Sequence, residues 1–395
     1  MTTPPPRPTN ANSAGVPVGK PAEVPAAAAE PAADLSSGVS SDVLANVPSD
    51  IPSDIPSDIP SDIPSDASSN VPSEVSSNLS RTERANESSA VPVEGNKVDE
   101  ARSAGLRGDG GRLRVALAQI DPVLGDVERN LALHETVLAE ARRQRAELVV
   151  FPELSLTGYY LRDLVPDVAR PVSCAELERL AAAAGDMAVV VGFVERDEHG
   201  DLFNSAAFLE GGGVRHVHRK VYLPTYGLFD EQRYFAAGHR VRAFDSRRFG
   251  RVGVVVCEDF WHLSVATILQ AERIDWLLCL ANSPARGVHA AEVRTASTYR
   301  HIGQTYAQLL GAYIAVCNRA GVEEGLCFWG GSFLVAPDGE IAATAAPFDP
   351  QLLIVEVDAN APRRARLQTP LGRDQRLSVT LGELGRIQRR QYEAD

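Results

Sequence analysis

From about residue 112 onward, short apolar runs alternate with longer stretches in which apolar side chains recur every three or four positions. Leu113 to Gln119 reads as a strand, and Val127 to Arg145, polar along one face, reads as a helix. The same patterns predict strands near residues 147–151, 188–194, 205–209, 214–219, 252–256, 276–280, 313–317, 332–336 and 352–357, and helices near 175–184, 263–273 and 290–310. Some ten strands exceed one modest sheet. Two sheets packed face to face with helices outside each would bury them, and roughly 280 residues suffice for one such domain. The expected class is α/β, with one folded domain over residues 111–395.

Residues 1–110 break this pattern. They are rich in Pro, Ser and Ala, lack aromatic side chains, and repeat Ile-Pro-Ser-Asp from Ile51 to Asp66 after a Val47-Pro48-Ser49-Asp50 variant. Proline at every fourth position forbids both continuous helix and central strand. Sixteen acidic against seven basic side chains give this segment nine of the chain's thirteen net negative charges. It cannot bury enough apolar surface to offset a backbone entropy of roughly 1–2 kcal/mol per residue, so a long disordered acidic tail, a solvated spacer, is expected. A polyproline II ligand at Pro4-Pro5-Pro6-Arg7-Pro8, or docking of the repeat on a basic partner, is the less favoured reading.

Composition excludes several function classes. No run of about 18 apolar residues offers a membrane span, and no basic start with an apolar stretch of about 7–15 residues offers a signal peptide. Mild acidity in the folded part leaves no footprint for nucleic acid. Cysteines at 174, 257, 279, 317 and 327 are odd in number and lack CxxC or Cys/His spacing, which argues against a disulfide framework and a zinc site. A cytoplasmic enzyme or scaffold without metal or organic cofactor is the resulting expectation.

Three reactive side chains stand at the ends of apolar runs. Glu153 closes Leu148-Val149-Val150-Phe151-Pro152, Lys220 follows Val214 to Arg219, and Cys257 ends Val252-Gly253-Val254-Val255-Val256 and precedes Glu258 and Asp259. Open α/β folds place their chemistry at the carboxyl edge of a sheet, which is where these ends fall. A thiol attacks as the thiolate and therefore wants a base or a cation beside it. Glu153 and Lys220 supply one of each, and with the backbone N–H of Glu258 they could hold the oxyanion of a tetrahedral intermediate. Each residue alone has a plainer reading: a buried small hydrophobe for Cys257, a solvated strand-end acid for Glu153, a surface cation for Lys220. A Cys–His pair using His262, five residues from the thiol, is disfavoured because nothing there supplies the third, orienting group.

Phe151-Pro152-Glu153-Leu154, Arg219-Lys220 with Leu223-Pro224, and Cys257-Glu258-Asp259 resemble the three signature blocks of the nitrilase superfamily, the carbon–nitrogen hydrolases. Glu153 precedes Lys220 by 67 residues and Lys220 precedes Cys257 by 37, and Gly331 to Glu340 resembles the family's last hairpin. The resemblance implies an αββα four-layer sandwich that assembles as a homo-oligomer through outer helices, and a Glu153–Lys220–Cys257 triad. It also implies that a second glutamate, matched by Glu231, helps hold the lysine and the substrate.

Within the superfamily, Leu156-Thr157-Gly158-Tyr159, the stretch Leu223 to Glu231, and Cys257 to Trp261 are most similar to the glutaminase domain of glutamine-dependent NAD synthetases. That branch implies glutamine-binding roles for Tyr226 and Ser283; Glu258 is placed at the substrate by its backbone N–H alone. Two departures stand out. No Ser-Gly-Gly-rich pyrophosphate loop occurs before Asp395, so a synthetase domain is not expected within this sequence, and Gly287 is followed by Val288 where the branch has a substrate-binding lysine. Loss of that cation would remove a charge-assisted hydrogen bond of about 1.5–3 kcal/mol unless Arg286, His289 or Arg294 replaces it. A free-standing amidase acting on a small-molecule amide is therefore expected first. A glutaminase subunit feeding ammonia to a separate synthetase comes second, and a silent scaffold third.

Overall fold

The computed structural model describes residues 111–289 and 292–394, and the tail expected over 1–110 lies outside them. Sixteen strands form two six-stranded sheets and two small ribbons. The first sheet has the order β16-β1-β2-β3-β4-β5, from β1 (Arg112–Gln119), β2 (Leu148–Val150), β3 (Ala188–Arg196), β4 (Leu202–Glu210), β5 (Gly213–Arg219) and β16 (Gln351–Asp358). The second has the order β15-β14-β11-β8-β7-β6, from β6 (Ala243–Ser246), β7 (Gly250–Val256), β8 (Trp276–Ala281), β11 (Tyr313–Asn318), β14 (Phe333–Val335) and β15 (Ile341–Thr344). The ribbons pair β9 (Val288–His289) with β10 (Glu292–Val293), and β12 (Ala320–Glu323) with β13 (Leu326–Trp329).

Alternation along each strand builds the layers, because successive side chains point to opposite faces. Val115, Leu117, Leu148, Val150, Val190 and Phe208 leave the first sheet toward Val252, Val254, Val256, Trp276 and Leu278 of the second, forming one shared core. The intervening residues Ala116, Ala118, Val149, Val189 and Val191 face outward. They pack beneath Leu131, Leu138 and Ala141 of α1 (Val127–Arg143) and Leu177, Leu180 and Ala181 of α2 (Ala175–Ala184). On the far side, α3 (Leu263–Ala271) and α4 (Arg294–Leu310) bury Val265, Leu269, Ala296, Tyr306 and Leu310 against the second sheet. The result is the αββα four-layer sandwich.

Sequence reading missed six strands, and each has a local reason. β6, β15 and the strands of the two ribbons are each only two to four residues long, too short to show a period. The helix expected from residue 290 begins at Arg294, because Glu292 and Val293 pair with β9 instead. Two C-terminal helices, α5 (Ala361–Gln368) and α6 (Leu377–Ala394), were not anticipated, and α6 leaves Leu377, Leu381, Leu384 and Ile387 exposed. Among the described residues no helix is long and apolar enough to cross a membrane.

Parallel pairing decides where the chain ends meet. β1, β2 and β3 run parallel, and β5 regains that direction after two antiparallel steps through β4. β7 and β8 are likewise parallel in the second sheet. The carboxyl ends of β2, β5, β7 and β8 deliver Glu153, Lys220, Cys257 and Asn282 to one region between the sheets.

Candidate active site

Glu153 is completely buried, two residues beyond Phe151, in a turn whose next residue, Leu154, has φ +45°. Gly192 of β3 lies directly under this turn, where an added Cβ would stand 2.3 Å from the Leu154 nitrogen and 2.6 Å from the Pro152 oxygen. One carboxylate oxygen of Glu153 accepts from Lys220 Nζ at 2.8 Å and from Asn204 Nδ2 at 2.8 Å, while the other accepts from the Asn282 N–H at 2.9 Å. Asn282 also donates through Nδ2 to the Glu153 carbonyl at 2.7 Å. The carboxylate is thereby fixed in both rotation and depth.

Lys220 Nζ donates in addition to Glu231 Oε1 at 2.7 Å, so a single buried ammonium bridges two buried carboxylates. Burial disfavours the ammonium, yet the charges of Glu153 and Glu231 outweigh it and hold Lys220 well above its ordinary value. Burial likewise pushes the Glu231 carboxyl up to about 7, opposed by Lys220 and reinforced by Glu153. Tyr159, which sequence reading left without a role, donates its hydroxyl to the same Glu231 oxygen at 2.7 Å. Glu231 Oε2, Asn204 Oδ1 and Asn282 Oδ1 are buried acceptors without a donor among the described residues.

Cys257 opens a 3-10 turn, Cys257–Trp261, with φ +46°, a left-handed conformation uncommon for a residue with a Cβ. Such strain persists where surrounding structure over-determines it, and it clusters at functional sites. The thiol contacts the Tyr299 hydroxyl of α4 at 3.3 Å. Burial, and then the field of Glu153, push the thiol well above its ordinary value, while Lys220, Tyr299 and the Asn282 backbone pull the other way. At rest the sulfur therefore keeps its proton. Glu258 is the second residue of the turn, so its N–H is among those the turn itself cannot satisfy.

The remaining sequence candidates lie around this centre. Tyr226, half exposed, donates its hydroxyl to Glu258 at 3.0 Å, and the Arg286 guanidinium sits 5.9 Å from the Tyr226 ring and 4.9 Å from that of Phe229. Ser283 is buried and gives its N–H to Asn318 Oδ1 at 2.8 Å. His262 stacks on Tyr222, and its Nε2 lies 3.8 Å from Glu258 Oε1. A cleft of about 370 Å³ reaches Glu231 between Tyr159, Tyr160, Leu161, Phe229 and Tyr234. A second, about 450 Å³, lies apart at Glu195, Phe203 and Arg219 and shares no residue with the centre. Among the described residues no group of three His, Cys, Asp or Glu could hold a metal ion.

Asn204, Asn282, Tyr159 and Tyr299 escaped sequence reading. Asn282 alone carried a usable signal, a polar residue closing the apolar run of β8. The others are polar residues within strand, loop or helix whose partners come from distant segments.

A family model described as carbon–nitrogen hydrolase matches residues 114–366. The glutamine-dependent NAD(+) synthetase of Acinetobacter baylyi is 32% identical over 259 residues, which is 64% of this chain and 46% of that protein. The solved structure of the glutamine-dependent NAD+ synthetase from Acinetobacter baumannii is 34% identical with a TM-score of 0.57, covering 64% of this chain and 46% of the other. The chain thus spans about half the length of the curated relatives it matches. An amidase of Nesterenkonia AN1 is 23% identical with a TM-score of 0.58, covering 70% of this chain and 99% of the other, a likeness of fold.

Proposed function

Because the chain belongs to the carbon–nitrogen hydrolase family of the nitrilase superfamily, we propose that it cleaves the amide bond of a small molecule through a Cys257 thioester, with Glu153 as proton carrier and Lys220 as oxyanion cation. The observation that carries this reading is the buried Lys220 bridging Glu153 and Glu231 beside a thiol held on a left-handed turn. Glu153 takes the thiol proton as sulfur adds to the carbonyl carbon, which suits a thiol that burial keeps protonated. Lys220 has three N–H donors, of which Glu153 and Glu231 use two, leaving one for the oxyanion beside the Glu258 N–H. Glu153 then gives its proton to the departing ammonia or amine. Water activated by the same carboxylate hydrolyses the thioester, returning the thiol and a carboxylic acid. Glu231 Oε2, Asn204 Oδ1 and Asn282 Oδ1 offer acceptors for the N–H groups of an incoming amide.

The alternative is a glutaminase that supplies ammonia to a separate synthetase. Arg286 favours it, since its Nε is buried without a partner while its guanidinium lies over Tyr226 and Phe229 at the rim of the site. There it could pair with a substrate carboxylate in place of the branch's lysine, beside Tyr226, whose hydroxyl meets Glu258. The chain would then be a subunit whose turnover rises when its synthetase is added.

Ammonia release by the full chain over glutamine, asparagine, short ω-amides and aliphatic amides tests both readings. Cys257→Ala and Glu153→Gln should fold normally and lose at least about a thousand-fold in kcat, the scale on which general acid–base and nucleophilic groups act. Retained turnover in either variant removes the scheme. Glutamine turnover that weakens in KM on Arg286→Ala selects the glutaminase, and turnover of another amide with glutamine inert selects the independent amidase.

A further inference from the structure

Asp259 is the third residue of the Cys257 turn and is completely buried, and its carboxylate fills all four acceptor positions. Oδ1 accepts the N–H groups of Val221 at 3.0 Å and Tyr222 at 2.9 Å. Oδ2 accepts the N–H of Val256 at 3.1 Å and the Nε2–H of His218 at 2.8 Å. Three of these donors straddle Lys220 on the chain leaving β5, and the fourth immediately precedes Cys257. One side chain therefore ties the lysine-bearing segment of the first sheet to the thiol-bearing turn of the second.

A histidine–aspartate pair near a cysteine invites comparison with a proton relay, but the orientation excludes it. His218 Nε2 faces Asp259, and the side-chain partner of the thiol among the described hydrogen bonds is Tyr299. The pair acts by geometry. Its two segments share no ladder, since β5 and β7 belong to different sheets, so beyond the packing between the sheets their alignment rests on cross-sheet hydrogen bonds such as these and those of Asn282 to Glu153. Cys257 also occupies a left-handed conformation that relaxes unless something holds it. Four hydrogen bonds on one buried carboxylate supply that hold, and Val256 N–H is the one nearest the strained residue.

We propose that Asp259, anchored by His218, is a positioning residue that fixes Lys220 relative to Cys257 across the gap between the two sheets. It touches no substrate. This rests on the reading of Cys257 as nucleophile and Lys220 as its neighbouring cation, and Cys257→Ala in the ammonia assay tests that reading separately.

The decisive experiment measures the rate of alkylation of Cys257 by iodoacetamide at pH 8 in the full chain, mapped by peptide mass so that the exposed Cys327 serves as an internal reference. The ionisable groups acting on the thiol among the described residues are Glu153, Lys220, Tyr299, Tyr159 and Cys279, so displacement of Lys220 removes the one cation among them. Asp259→Asn keeps the shape but turns an N–H toward His218 or Val256, and His218→Leu leaves one lone pair of Asp259 open. In both, the alkylation rate of Cys257 should fall about 10-fold relative to Cys327 and kcat should fall about 10- to 100-fold with KM within about two-fold, the scale expected for a misplaced catalytic group. His218→Gln, which can still donate to Asp259, should restore most of both, whereas a merely space-filling role would not distinguish Gln from Leu. If Asp259→Asn does not fold, His218→Leu decides alone, since every backbone donor to Asp259 remains. A folded His218→Leu with wild-type alkylation rate and kcat overturns the proposal.

Discussion

At the scale of single residues, the centre is governed by how two carboxylates share one ammonium. Glu231 titrates at about 7 because burial penalises its charge and Glu153 repels it, despite Lys220. Below that pH a neutral Glu231 leaves Lys220 to Glu153 alone, which weakens Glu153 as a base. Above it, the second carboxylate competes for the lysine and strengthens Glu153. Activity should therefore rise through pH 7, and Glu231→Gln should lose that inflection and run roughly ten-fold slower at pH 8, about 1.4 kcal/mol of transition-state stabilisation. A pH–rate profile with the inflection intact in Glu231→Gln would contradict this assignment. The charged members of the centre were legible in the sequence because each closes an apolar run or follows one within a recognisable motif. Asn204 and Tyr299 were not, because nothing in β4 or α4 announces that the Asn204 amide turns to a loop 51 residues earlier or the Tyr299 hydroxyl to a thiol 42 residues before it.

At the scale of elements, the buried strands were readable and the edges were not. β7, β8 and β11 are buried nearly throughout and print as unbroken apolar runs, whereas β15 exposes most of its side chains and has no periodic signature. Helix α1 shows what a buried polar residue does within an element. His134 donates from Nδ1 to the Asn130 carbonyl at 2.7 Å, accepts at Nε2 from the Ser155 hydroxyl at 2.9 Å, and stacks on Phe151. It thereby docks the helix onto the turn that carries Glu153. Burial lowers the imidazole from 6.5 to about 4. The unfolded chain binds the extra proton first as pH falls, so the contribution is full above pH 6.5 and is lost on the way down to 4. It amounts to about 3 kcal/mol, and the acid limb of a urea-denaturation series should flatten in His134→Gln. Gly192 imposes the complementary constraint from β3. Gly192→Ala should cost about 1–3 kcal/mol by denaturation and lower kcat more than it raises KM, since the added methyl pushes on the backbone on either side of Glu153.

At the scale of the molecule, the homo-oligomer implied by family resemblance has a ready surface. Leu377, Leu381, Leu384 and Ile387 along α6, with Leu367 and Leu371 before it, are exposed apolar side chains on one C-terminal segment. Sedimentation should report a dimer or larger species, and Leu381→Glu with Leu384→Glu should shift it toward monomer while leaving the circular dichroism unchanged; a monomeric wild type refutes the assembly. The two sheets have a consequence of another kind. Glu153 and Lys220 hang from one, Cys257 and Asn282 from the other, and the packed side chains between the sheets, with the Asn282–Glu153 and Asp259 hydrogen bonds, keep those pairs in register. Turnover is thus a gauge of sheet-to-sheet alignment. Pressure, cosolvent or a cavity in the shared core that lets the layers slip by an ångström should silence the enzyme while every ladder hydrogen bond survives, so inactivation and unfolding curves should separate.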